Sequence, residues 1–285
     1  MAVKTESFEF PSKVRVLYLI IGSSDAEHEA DLNAQRQTWL SCLNSEDAYL
    51  VLRGTKLTQA KREGHELSLP AEERYENILQ KTVLGIEWVN QHIEYQYLVR
   101  TNVSTYFRHS KVHKVLTELI GLLNPAYGGY IDYANFPTRS GKNPTSYVAG
   151  TGIMMNRQAA DLLARLPFND YKGLPDDLAI SHFLNSEGVR SSYIARSNFS
   201  STHVLSNAIQ IRLKSSHLPH AARLRMKRVH KHEQSRRLIE RLSAWFQLEF
   251  AEREFIEFSF DEFRRILSAV YVSLRNSFFG RRNVK

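Results

Sequence analysis

Two adjacent carboxylates, Asp176 and Asp177, follow Pro175 and open an apolar run that reads as a helix. Acidic side chains are favoured in a first helical turn on electrostatic grounds alone. The same position also presents a proton acceptor at the end of an element. Gly150-Thr151-Gly152 suits either a strand bend or a backbone that a ligand can approach closely, because glycine has no Cβ. Asp132, near the end of the run GGYIDY, offers a carboxylate for hydroxyl groups. Arg36, Lys81 and Arg100 supply positive charge, with Lys214 a further candidate. His203, His217 and His220 are candidates for a phosphate or metal contact and equally for ordinary polar surface. These are the residue types needed to move a sugar from a diphosphate carrier to a hydroxyl. Cations hold the leaving phosphates, a carboxylate takes the hydroxyl proton, and a shaped pocket aligns the two.

Residues so far apart in the chain must be positioned by a regular framework. Residues 14–22 (VRVLYLIIG) form a continuous aliphatic and β-branched run ending in Gly-Ser-Ser, the pattern of a central strand buried on both faces. A helix over 25–43, a strand over 48–52 and a short strand over 65–69 follow. Pro70 and the acidic Ala71-Glu72-Glu73 predict a helix start. Ile78, Leu79, Val83, Leu84 and Trp88 then recur at helical spacing to about residue 90. A strand over 95–99 runs into Arg100-Thr101-Asn102-Val103-Ser104. A helix over 112–123 and a strand over 128–133 come next. Residues 136–145, rich in Pro, Gly and Ser, read as a long loop of the kind that carries function. The stretch 147–155 precedes a helix over 157–166, and Pro175-Asp176-Asp177 opens a helix to residue 184. Alternating strands and helices imply an α/β fold with a largely parallel sheet covered by helices on both faces and ligands at the strand C-termini.

At 285 residues with 42% apolar and 24% charged side chains, the chain suits one large domain plus an appendage. A single cysteine, Cys42, excludes an internal disulfide and a thiolate-only metal site. It reads as a small buried thiol in a reducing compartment. The run 14–22 is far shorter than the roughly 20 residues of a membrane span, so a cytoplasmic location with at most peripheral membrane contact is expected. The net charge of +8 is uneven: residues 221–241 hold eight Lys or Arg against Glu233 and Glu240. Such a stripe favours an anionic membrane surface as partner. It lacks the aromatic interleaving of a nucleic-acid platform, so nucleic acid is not the expected partner. Beyond residue 203 the chain turns basic and helical. Phe263, Ile266, Leu267, Val270, Tyr271 and Leu274 mark one helical apolar stripe, suited to packing on the catalytic domain or to lying in a membrane interface. A catalytic domain over 1–205 and a basic helical extension over 206–285 are the expected division.

Several segments, in order, resemble the Fringe and β-1,3-galactosyltransferase family. Arg36-Gln37-Thr38-Trp39 resembles its R-x-T-W, and Tyr75-Glu76-Asn77-Ile78-Leu79-Gln80-Lys81-Thr82 is similar to its Y-x-N-L-x-x-K-T helix. Residues 95–107 fall where that family has K-T-D-D-D. Residues 144–152 (PTSYVAGTG) resemble P-x-Y-x-x-G-x-G, with one residue of slippage, and Leu174-Pro175-Asp176-Asp177-Leu178 matches the E-D-V segment. The resemblance spans about residues 14–200 and implies a GT-A-like, Rossmann-type mixed sheet and an inverting hexosyl transfer. The donor would be a nucleotide sugar, a UDP-sugar first of all, and the acceptor a glycan or glycolipid. It implies Asp177 as general base with Asp176 beside it, and donor contacts at Arg36, Trp39, Tyr75, Asn77, Lys81, Arg100, Asn102 and Ser104. Asp132, Gly150, Thr151 and Gly152 would face the sugar or acceptor. One departure stands out. Asn102-Val103-Ser104 occupies the place of the metal-binding aspartates, and amide or hydroxyl oxygens are poor ligands for Mn²⁺ or Mg²⁺. Arg36, Lys81, Arg100 and Lys214 are therefore expected to neutralise the diphosphate in place of a metal. A bacterial or viral enzyme is the natural setting. Another GT-A branch that builds surface polysaccharide, or a non-catalytic module that binds glycans or nucleotides, would use the same framework.

Overall fold

The run of residues expected to form a central strand does so. In the computed structural model, which describes residues 10–138, 141–198, 208–213, 225–231 and 233–234, β1 spans Lys13–Ile21. Leu17, Leu19 and Ile21 enter one apolar cluster and Val16, Tyr18 and Ile20 the other. Period-2 side-chain alternation therefore feeds two cores, one on each face of the sheet. Helix α1 (Ala26–Arg36) is capped by Asp25, whose carboxylate accepts from Glu27 N at 2.8 Å. It stops short of the helix expected to residue 43, and a 3₁₀ turn, Leu40–Cys42, follows.

Strands β2 (Asp47–Thr55), β3 (Lys61–Glu63) and β4 (Glu66–Pro70) come next. Pro70 ends β4, opposite Thr55, and does not open a helix. The reason lies in Glu73, whose carboxylate accepts from Gly54 N and from Lys81 Nζ. That engagement spends the acidic residue on β2 and delays the helix. A 3₁₀ turn at Tyr75–Asn77 then leads into α2 (Ile78–His92). Strands β5 (Glu94–Asn102) and β6 (Thr105–Phe107), helix α3 (His109–Val115) with a π-helical turn at Leu116–Ile120, and strand β7 (Tyr127–Gly129) follow. The run GGYIDY breaks at Tyr130. Beyond it, β8 (Ile131–Thr138) pairs with β9 (Gly141–Val148) as a separate antiparallel hairpin. The Pro/Gly/Ser-rich stretch expected as a loop thus forms hairpin arms, its backbone groups paired with each other. Strand β10 (Gly152–Asn156), helices α4 (Arg157–Leu163) and α5 (Asp176–Ser186), and short strands β11 (Ser191–Tyr193), β12 (Arg196–Asn198) and β13 (Gln210–Arg212) complete the order.

The main sheet has the order β11-β7-β10-β5-β1-β2-β4-β3. It is mixed and mainly parallel, with β10 and β3 antiparallel to their neighbours. Helices α2, α4 and α5 cover one face through Val83, Ile86, Leu163, Ile180 and Leu184. Helices α1 and α3 cover the other through Leu32 and Val112. Each fully buried aliphatic side chain of this kind contributes about 1.5–3 kcal/mol. A small sheet, β12-β13-β6, flanks the second face.

The chain forms two compact units, Met1–Lys231 and His232–Lys285. The boundary expected at residue 205 falls inside the first. Ala208, Ile209, Ile211 and Leu213 are buried, and β13 pairs with β12 and β6. Strand pairing keeps this segment with the core. Residues 225–231, part of the basic stripe, are helical, with Met226 and Val229 buried and Lys227, Arg228 and Lys231 exposed. Lys214, His203, His217, His220 and the apolar stripe 263–274 lie outside the described residues. No described helix is long and apolar enough to cross a membrane.

Candidate active site

Strand register brings the separated motifs to one edge of the sheet. Leu19 pairs with Arg100 and Ile21 with Asn102, while Thr101 lies opposite Gly152 on β10. This is the C-terminal edge of β1 and β5, where α/β folds place their ligands. Helix α5 enters at the same edge because Pro175, held at φ −54° and ψ 140°, halts the preceding chain and turns it into the helix. Asp176 and Asp177 are its first two residues.

Arg100 is buried at 3% exposure. Its Nη1 donates to Gly150 O at 2.7 Å and its Nη2 to Asp176. Asp177 accepts from Gly150 N at 3.0 Å through Oδ2 and from Leu178 N at 3.0 Å through Oδ1. Burial raises the Asp177 carboxyl above its ordinary value, and the neighbouring Asp176 charge adds to this. The Gly150 N–H and Arg100 pull the other way without reversing it. A Cβ at 150 would lie 2.6 Å from Arg100 Nη1, so any larger residue there would have to displace the guanidinium that pairs with Asp176. At Gly152 a Cβ would meet Gln210 Oε1 at 2.5 Å and Phe107 Cζ at 2.9 Å. Thr151 is held from both sides, its carbonyl by Thr101 Oγ1 at 2.6 Å and its hydroxyl by Gln210 Oε1 at 3.2 Å.

A second group of charges shares this field, and sequence reasoning missed most of it. Tyr147, on β9, has its phenol raised by burial first and then by Asp177 and Asp132, while Arg196 and Arg212 lower it. Arg196 is buried. Its guanidinium lies 3.7 Å over the Tyr130 ring, and Nη2 is 3.9 Å from Asp132. Its buried Nε has no hydrogen-bond partner among the described residues. Burial and then Arg212 hold its pKa below the usual arginine value. Arg212 is exposed. Two arginines that repel each other form a place where an anion would be stabilised by both. Neither sits in a recognisable motif. The only trace in the sequence is Arg at 196 and 212 in short polar stretches of unclear periodicity.

The other expected donor contacts divide. Tyr75 is 72% exposed and close enough to Asp176, Asp177 and Arg100 for all three to act on its phenol. Asn77 donates to Glu72 O at 3.1 Å and lines a neighbouring cavity of about 440 Å³. Trp39, in contrast, is 1% exposed and packs edge-on to Tyr18 and Phe107, so it is a core anchor and cannot touch a donor. Lys81 is 2% exposed, its ammonium donating to Gly22 O at 3.0 Å and to Glu73. It ties α2 to the end of β1 and has no charge to spare. Arg36 pairs with Glu66, which also takes Arg53. Asn102 and Ser104 form a closed turn in which Asn102 Oδ1 accepts from Ser104 N, Ser104 Oγ and Thr105 Oγ1 at 2.9–3.2 Å. An uncharged oxygen already accepting three hydrogen bonds has no capacity left for a cation. The residues at this turn do not fit a Mn²⁺ or Mg²⁺ ion.

A groove of about 870 Å³ lies at the opposite edge of the sheet among Lys13, Arg15, Glu46, Glu94 and Arg157. At Asp177 a carboxyl raised by burial lies beside a buried arginine and a close-approached backbone, the arrangement by which a candidate site is recognised.

No protein-family model and no curated protein matches the chain. Among solved structures, it is similar to the crystal structure of a glycosyltransferase involved in the glycosylation of the major capsid of PBCV-1. The TM-score is 0.45 at 10% sequence identity, covering 75% of this chain and 98% of that one.

Proposed function

We propose that this crevice transfers a sugar from a nucleoside-diphosphate donor to a hydroxyl of a glycan or glycolipid, with inversion and with Asp177 as general base. The observation that carries the reading is the Asp177 carboxyl itself. It stands at a helix start, is partly buried, is positioned by Gly150 N–H and is raised toward the pH at which a base works best. The acceptor O–H proton passes to Asp177. The acceptor hydroxyl oxygen forms a bond to C1 of the sugar as the bond from C1 to the phosphate oxygen breaks, and the diphosphate leaves with the electron pair. Arg196 and Arg212 take the growing negative charge. Asp132 and Tyr147 face the sugar hydroxyls, and Tyr75 stands at the mouth. Arg100 and Asp176 hold Asp177 and the Gly150 carbonyl in place. A UDP-sugar is the first donor to assay.

Two measurements test the assignment of roles. Arg212→Ala removes an exposed side chain that forms no ion pair among the described residues, so the fold should persist. Nucleoside-diphosphate affinity should fall about tenfold by calorimetry, the value of one charge-assisted hydrogen bond. Arg36→Ala should leave that affinity unchanged; the reverse pattern would move the diphosphate to Arg36. The second measurement is the pH dependence of kcat/KM. Asp177 must be ionised to accept a proton, so its raised pKa puts the acid limb above that of an ordinary aspartate. Asp176 contributes to the raising. Asp176→Asn should therefore shift the limb to lower pH, and an unmoved limb would take Asp177 out of the base role.

A further inference from the structure

On the face of the sheet opposite α5, three side chains that the crevice does not use converge. Asp47 begins β2, opposite Val16, and its side chain is fully buried. His109 and His113 lie one turn apart on α3, the spacing that puts two imidazoles on one helix face. Asp47 Oδ2 is 3.0 Å from His109 Nε2 and 2.7 Å from His113 Nε2. All three ligand atoms lie within 4.8 Å of one another.

Two features go beyond a buried ion pair. His109 Nε2 and Asp47 Oδ1 are both buried and lack hydrogen-bond partners among the described residues, although His109 Nε2 sits at hydrogen-bonding distance from Oδ2. Unsatisfied buried polar atoms are uncommon, and two of them fall in this one cluster. The other nitrogen of His109, Nδ1, lies 3.2 Å from Tyr18 OH. In the tautomer that donates Nδ1–H to the phenol oxygen, the Nε2 lone pair would be available to a cation. Metal-ligating histidines are oriented in this way by their outer neighbours.

We infer that Asp47, His109 and His113 form a binding site for a divalent transition cation of the zinc type, with a structural role. Two imidazoles and a carboxylate are a borderline donor set that suits Zn²⁺, whereas Ca²⁺ and Mg²⁺ require oxygen ligands throughout. Tetrahedral ligands about 2.0–2.1 Å from Zn²⁺ stand roughly 3.3 Å apart, so Asp47 Oδ2 would move away from His109 Nε2 by about 0.3 Å and from His113 Nε2 by about 0.6 Å. The side-chain exposures of 0% for Asp47, 6% for His109 and 17% for His113 leave no room for a substrate and a single entry past His113. The ion would fasten the helix after β6 to the start of β2.

The test uses the full-length protein, stripped with a chelator and titrated with Zn²⁺ alone. One equivalent should bind, with a rise in Tm and an X-ray absorption edge spectrum showing two imidazoles and no sulfur. Tyr18→Phe should weaken binding by about tenfold to a hundredfold. His113→Gln and Asp47→Asn should lose the equivalent. No uptake by the wild-type protein, a spectrum without imidazole scattering, or an equivalent that survives His113→Gln would each overturn the inference. The absorption measurement on the wild type decides the matter even if a variant fails to fold.

Discussion

Asp177→Asn should lower sugar transfer by about a hundredfold to ten-thousandfold, the contribution of a positioned general base, while nucleoside-diphosphate binding stays near wild type. Asparagine keeps one oxygen, which can accept from Gly150 N–H or from Leu178 N–H but not from both, and it takes no proton at neutral pH. Two opposing effects then bear on the stability of this variant. A carboxyl whose folded pKa is raised contributes stability that is fully present below the unfolded aspartate value, about 3.9. That contribution is lost as pH climbs through the folded pKa. Asparagine does not ionise, so above that window the variant avoids the cost, while the lost backbone hydrogen bond takes away about 0.5–1.5 kcal/mol; Tm at neutral pH should stay within a few degrees of the wild type. A Tm lower by about 10 °C or more together with lost turnover would make Asp177 a structural residue, and retained turnover would remove it from the chemistry.

Arg100→Met should have the largest effect on stability. The Arg100–Asp176 pair is almost wholly buried, with side-chain exposures of 4% and 13%. Arg100 also holds the Gly150 carbonyl. Removing the cation leaves a buried carboxylate without its counter-charge, a change that typically costs about 3–5 kcal/mol. In a unit of this size each kcal/mol moves Tm by roughly 2–4 °C, so a drop on the order of 10 °C is expected by calorimetry. The double variant Arg100→Met/Asp176→Asn should recover part of it, because the uncompensated charge is gone. Arg100 also draws the Asp177 pKa down. Residual activity of Arg100→Met should therefore show an acid limb displaced to higher pH. A single variant as stable as the wild type would mean that Asp176 is protonated or solvated, and that the pair does not organise the crevice.

The framework was legible because local pattern reports local burial. The unbroken apolar run of β1, the helical spacing of Ile78 to Trp88 and the acidic start of α5 are imposed by the faces that those segments bury. At Gly150 and Gly152 the protein's own side chains approach the backbone closely, where the sequence left both a strand bend and a ligand's approach open. Pairing of charges is another matter. Arg36 meets Glu66 because β4 lies beside β2, and Lys81 meets Glu73 because the chain between β4 and α2 folds back over Gly54. Neither adjacency leaves a periodic trace, so two cations that looked available for phosphate are already neutralised. Arg196 and Arg212 were overlooked for the converse reason. Their strands are three residues long and join a small side sheet, too short for any pattern to emerge.

What the amino-acid sequence alone determined was the class of fold, the identity of the central strand and the presence of Asp176, Asp177 and Arg100 at the ends of elements. Side-chain periodicity and the chemistry of helix starts are properties of neighbours along the chain. Which charges remain available for a ligand was decided only by tertiary structure. A guanidinium or ammonium binds whichever carboxylate is closest in space, and distance in space is set by strand order and crossover paths. Asp47, His109 and His113 belong to the same category, because a strand start and a helix turn some 60 residues away become ligand partners only once β2 and α3 pack on the same face.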